Sequence, residues 1–104
     1  MIRVFLVDDE YLEIEGLRLM VDWGKYGMEI AGAAYDGLAA RERILELRPD
    51  VVFTDIRMPG IGGFELIEDV KASLPETLFV VISGYNDFAY IRMALRLGLA
   101  DYLD

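Results

Sequence analysis

A doubly wound α/β protein, one parallel sheet with helices on both faces, is the fold class the sequence predicts. Three observations carry it: short branched apolar runs recur along the chain, segments with helical spacing separate them, and Gly, Pro or Asx turn signals punctuate the changes of element. The runs are nearly continuous rather than alternating, which suits strands buried on both faces of a parallel sheet.

The first run, Ile2 to Val7, is such a strand and ends at Asp8-Asp9-Glu10. From Leu12 the apolar residues Leu12, Ile14, Leu17, Leu19, Met20 and Val21 keep a mostly helical spacing that stops around Trp23-Gly24, with Gly16 an interior weakness. Met28 to Tyr35, bounded by Gly27 and Asp36-Gly37, reads as a second strand, and Leu38 to Leu47 as a helix that Pro49 keeps from continuing. Val51 to Phe53 is a third strand, ending at Thr54-Asp55. Gly60-Ile61-Gly62-Gly63 reads as a flexible turn, matching neither nucleotide-binding glycine pattern. Phe64 to Ala72 is a third helix, closed off near Pro75, and Leu78 to Ile82 a fourth strand. Asn86-Asp87 suits an N-cap for a helix to Leu97, Gly98 stops it, and Ala100 to Leu103 begins a fifth strand.

The order β-α-β-α-β-α-β-α-β implies right-handed crossovers and a single domain spanning residues 1–104. Five strands covered on both faces ask for a fifth helix, so the expectation is a domain truncated before that helix. An uncovered face would expose apolar surface and favour self-association.

Composition narrows the chemistry. Nineteen acidic residues against ten basic ones give a formal charge of −9, which repels nucleic-acid phosphates and anionic membranes. No apolar run reaches the roughly 18 residues a membrane span needs, and no export signal is visible at the N-terminus, so a cytoplasmic protein is expected. The chain has no cysteine and no histidine, which removes thiol chemistry, Cys-type zinc sites and the commonest general base. Carboxylates, hydroxyls and hard, oxygen-loving cations remain, which points to magnesium or calcium.

Asp8-Asp9, Asp55 and Ser83 follow the first, third and fourth strands, at the edge where open α/β sheets bind ligands. The flavodoxin-like order 2-1-3-4-5 is taken over from that class of sheet and not read from these residues; under it, the four side chains converge. Three carboxylates so close repel one another, and a hard divalent ion offsets the repulsion. Magnesium ligated by one or two carboxylates leaves room for phosphate oxygens, and Asp55 can then act as a nucleophile toward phosphorus. Each feature has a plainer reading. Asp8-Asp9-Glu10 can be carboxylates favoured by a helix N-terminus at about 0.3–1 kcal/mol each. Asp55 and Ser83 can be ordinary turn residues, and Trp23 a core or helix-end anchor.

In order and spacing, Val7-Asp8-Asp9-Glu10, Thr54-Asp55-Ile56-Arg57-Met58-Pro59 with Gly63, Ser83-Gly84-Tyr85 and Gly98 to Leu103 resemble the receiver domains of two-component response regulators. Trp23-Gly24, Ser83 to Phe88 and Asp101-Tyr102-Leu103 resemble, more narrowly, receivers that precede AraC-type DNA-binding domains. The resemblance implies Asp55 as phosphoacceptor. It makes Asp9 a direct Mg2+ ligand, Asp8 a ligand through water and the Arg57 backbone carbonyl a further one. Ser83 would bond a phosphoryl oxygen and Tyr102 would be an aromatic switch. It implies a histidine kinase as phosphodonor, DNA contact only through a downstream output domain, and homodimerisation through the fourth helix and fifth strand or the uncovered sheet face. It implies a signalling domain and not an enzyme. Receivers carry a lysine just beyond Asp-Tyr-Leu, whereas the lysines here are Lys25 and Lys71. That departure keeps a pseudo-receiver interaction module as an alternative; an aspartate-nucleophile phosphatase fits less well, since its acids are spaced Asp-x-Asp.

Overall fold

The computed structural model describes residues 1–56, 58 and 60–82. Its elements are β1 (Ile2–Val7), α1 (Tyr11–Met20), a 3-10 turn (Trp23–Tyr26), β2 (Met28–Ala34), α2 (Gly37–Leu47), β3 (Val51–Asp55), α3 (Gly63–Ser73) and β4 (Leu78–Ile82). The described strands form one parallel sheet in the order β2-β1-β3-β4, the flavodoxin-like arrangement as far as it is described. The fourth helix and fifth strand expected from the sequence lie outside the described residues.

Central strands explain the continuous apolar runs. Val4, Leu6, Val51 and Phe53 pack toward α1, with Ile14, Leu17 and Trp23 above them. Phe5, Val7 and Val52 pack on the opposite face against Ala40 and Ile44 of α2 and Leu66 and Val70 of α3. Each helix buries one stripe at helical spacing: Ile14 and Leu17; Gly37, Ala40 and Ile44; Gly63, Leu66 and Val70.

Four local readings change. The first helix does not run to Trp23; it ends at Met20, and Trp23 opens a separate 3-10 turn. Its buried ring stacks edge-on against Phe53 with centroids 5.4 Å apart, and its Nε1–H donates to the Leu17 carbonyl at 3.1 Å. Trp23 thus anchors the C-terminal end of α1. The second strand ends at Ala34, not Tyr35, and contains a register shift: Val4 pairs with Ile30 but Phe5 with Gly32, leaving Ala31 as an extra residue. The third strand continues through Asp55. The turn before α3, read as flexible, is anchored, because Ile61 is buried in the α2–α3 core.

Candidate functional site

Two adjacent strands, β1 and β3, deliver the three acids. Asp8 lies one residue past β1, and its N–H donates to the Ala34 carbonyl at 3.2 Å. Its Oδ1 accepts the Glu10 N–H at 2.9 Å, an Asx turn that also starts α1, whose N-cap residue Glu10 gives no side-chain cap. Asp9 is exposed. Asp55 closes β3, and its Oδ1 accepts the Ile56 N–H at 2.7 Å. One carboxylate oxygen from each of Asp8, Asp9 and Asp55 lies within 4.8 Å of the others.

The backbone under Asp55 is clamped. Thr54, fully buried, donates its hydroxyl to the Asp55 carbonyl at 3.0 Å. Gly63 N–H donates to the Ile56 carbonyl at 2.8 Å, drawing the start of α3 onto the end of β3. The approach is so close that a Cβ on Gly63 would sit 2.3 Å from the Asp55 oxygen. Gly37, at the start of α2, meets the Ile61 carbonyl in the same way, at 2.2 Å. The sequence offered Gly63 only as part of a motif and Gly37 only as a turn residue; the close backbone approaches give the reason for both.

Crowding shows in the electrostatics. Burial pushes the Asp8 carboxyl up to about 7; the Glu10 amide opposes this, and the charges of Asp55, Glu13 and Asp9 add to it. A carboxyl only 6% exposed beside other carboxylates holds a proton near neutrality unless a cation replaces it. An all-carboxylate set at this spacing fits a hard divalent ion such as Mg2+, and each of Asp8 and Asp55 spends one oxygen on a backbone N–H while keeping the other. Neither lysine approaches the cluster. Lys25 is in the 3-10 turn before β2, and Lys71 is in the last turn of α3 with Nζ 6.0 Å from the Phe79 ring centroid. Ser83, Tyr102 and Arg57 lie outside the described residues.

The architecture defines a flavodoxin-like α/β protein with an acidic carboxyl edge between its central strands. The chain belongs to the response regulator receiver domain family, which it matches over residues 4–104. It is 37% identical over 103 residues to the transcriptional regulatory protein YesN of Bacillus subtilis, covering 99% of this chain and 28% of that protein. It is 35% identical over 103 residues to the transcriptional regulatory protein HptR of Staphylococcus aureus, covering 99% of this chain and 40% of that one. The chain therefore spans well under half the length of these curated relatives. Among solved structures it resembles the REC domain of AraT, a response regulator from Geobacillus stearothermophilus, with TM-score 0.77 and 34% identity over 99% of this chain and 88% of that one. A two-component transcriptional regulator AraC from Clostridium phytofermentans gives TM-score 0.78 and 28% identity over 93% of this chain and 90% of that one.

Proposed function

We propose that residues 1–104 form a receiver domain in which Asp55 takes a phosphoryl group from a phosphohistidine on a partner kinase. The observation that supports this reading above all is the gathering of Asp8, Asp9 and Asp55 around a common point within 4.8 Å. Asp8, Asp9 and Asp55, with the Arg57 backbone carbonyl, would hold Mg2+. When bound, the ion neutralises the carboxylates and the charge that builds on the phosphoryl oxygens.

The residues of the chain do the rest. A carboxylate oxygen of Asp55 attacks phosphorus, the phosphorus–nitrogen bond of the donor breaks, and the imidazole nitrogen keeps the electron pair. The product is an aspartyl phosphate. Clamping of the Asp55 backbone by Thr54 and Gly63 fixes the nucleophile before the donor arrives, which lowers the ordering cost of the transition state. Ser83 would bond a phosphoryl oxygen and Tyr102 would follow it inward, changing which partner the fourth helix and fifth strand prefer. The output is binding: dimerisation that presents a DNA-binding module elsewhere in the regulator, in the cytoplasm. The domain turns over no external substrate and assists only its own phosphorylation and dephosphorylation.

Incubation with Mg2+ and acetyl phosphate, followed by intact mass measurement, tests the proposal. The expected result is one added phosphoryl group, absent in Asp55→Asn and absent when EDTA removes the metal. Labelling that survives Asp55→Asn would place the acceptor elsewhere. A chain that carries all residues of its regulator and still takes no label, from acetyl phosphate or from its kinase, would favour the pseudo-receiver.

A further inference from the structure

Two tyrosines at the carboxyl edge meet, Tyr11 at the start of α1 and Tyr35 just past the end of β2. The rings of Tyr11 and Tyr35 lie with centroids 5.8 Å apart and planes inclined at 37°. Tyr11 is 60% exposed and Tyr35 42%, so core burial does not explain the pairing.

The bulge in β2 brings them together. Met28 and Ile30 face the α1 side of the sheet, and strict alternation would then send Tyr35 to the opposite side. The extra residue Ala31 reverses the phase: beyond it Ala33 faces α1 and Ala34 faces α2. Tyr35, next in line, therefore falls on the α1 side and reaches Tyr11, the first residue of α1. Tyr11 in turn stands two residues past Asp9. Among the described residues, the backbone hydrogen bond that joins these segments beyond the end of β1 runs from the Asp8 N–H to the Ala34 carbonyl, which fixes Asp8 rather than Asp9. Asp9 is exposed, and its side chain makes no hydrogen bond or ion pair among the described residues.

We infer that the Tyr11–Tyr35 ring pair is a positioning clip that pins the β1–α1 turn to the end of β2 and thereby holds Asp9 at the spacing from Asp55 that a divalent cation needs. Neither ring supplies a ligand. The contact is made by ring faces and edges, so the hydroxyls have no part in it. This role rests on the Mg2+ site proposed above.

Calorimetric titration of the full chain with Mg2+ alone tests it, on the wild type, Asp55→Asn, Tyr35→Ala, Tyr35→Phe, Tyr11→Ala and the double alanine variant. Tyr35→Ala and Tyr11→Ala are each expected to weaken Mg2+ binding by about two- to tenfold, the range that an aromatic pair can contribute. Tyr35→Phe should bind as the wild type does, and the double variant should lose no more than either single one. Amide hydrogen exchange of residues 9–13 in metal-free protein should speed up in both alanine variants. Unchanged affinity in both, or losses that add in the double variant, would overturn the clip. Equal losses in Tyr35→Phe and Tyr35→Ala would do so too. A wild type that binds Mg2+ no better than Asp55→Asn would instead bring down the cation site itself, and the clip with it. Since Tyr11→Ala changes an exposed helical position to the best helix former, it keeps the test open even if Tyr35→Ala proves unstable.

Discussion

Asp8 carries an electrostatic cost that only a partner can remove. Its folded pKa, about 7, lies above the ordinary 3.8, so between those values the folded state holds a proton that the unfolded chain has lost. Metal-free stability contributed by this group is therefore complete below about pH 4 and declines as pH rises toward 7. Urea titrations in EDTA should show the midpoint falling from pH 5 to pH 8, with Asp8→Asn flattening that slope. A slope that Asp8→Asn leaves unchanged would show the Asp8 carboxyl to be ionised in the folded protein already at pH 5. Gly63 gives the second prediction at this scale. Gly63→Ala would drive a methyl group toward the Asp55 carbonyl, 2.3 Å away, and backbone on both sides leaves little room to yield. The expected loss is about 1–3 kcal/mol in urea unfolding, with slower labelling of Asp55 in the folded fraction. The same substitution at Gly60, where nothing lies within 4 Å but φ is +79°, should cost stability without touching the site.

At the scale of elements, helix ends show how sequence and sheet edge cooperate. Asp36 caps α2 by accepting the Ala39 N–H at 2.7 Å, and at the other end Arg48 adopts a left-handed φ of 52° while its N–H caps the Ile44 carbonyl. Arg3 of β1 reaches the same end and donates its guanidinium to the Leu47 carbonyl, a cation placed at the negative pole of the helix. Glycine tolerates that backbone at no steric cost, so Arg48→Gly is expected to stabilise the fold by about 0.5–1 kcal/mol in chemical denaturation. Destabilisation would mean that the Arg48 side chain contributes more than its strained backbone costs. Strand positions were largely legible because burial on both faces writes an unbroken apolar run, as in Val4–Val7 of β1 and Val51–Phe53 of β3. The bulge at Ala31 was not. In Ala31-Gly32-Ala33-Ala34 no residue is large enough to reveal which face it serves, and register is decided by pairing with β1, far away in sequence. Trp23 shows the same limit in another form, since periodicity ran through Val21 while the helix stopped at Met20.

Across the whole molecule, the site is legible from sequence to the extent that strand ends are, and it stays hidden where backbones touch. Asp8, Asp9 and Asp55 could be named because each terminates an apolar run, and the parallel order of the central strands gathers those ends. Thr54, Gly37, Tyr11 and Tyr35 could not, because their roles exist only after β1, β2, β3 and the helices have packed. A net charge of −9 raises a further question about the gathered acids: whether a divalent ion acts on them in particular or merely screens the chain. The two effects separate experimentally. Screening depends on ionic strength alone and falls on every exposed carboxylate, whereas a bound ion stabilises by mass action, about 2.7 kcal/mol at a hundredfold excess over its Kd. At matched ionic strength, MgCl2 should therefore raise Tm well above NaCl in the wild type. Asp9→Asn leaves the overall charge almost unchanged, so it should respond to screening as the wild type does and lose the difference between the salts. If MgCl2 and NaCl shift Tm equally in the wild type, the cluster is only a solvated acidic rim, and the phosphoryl chemistry assigned to Asp55 loses its support.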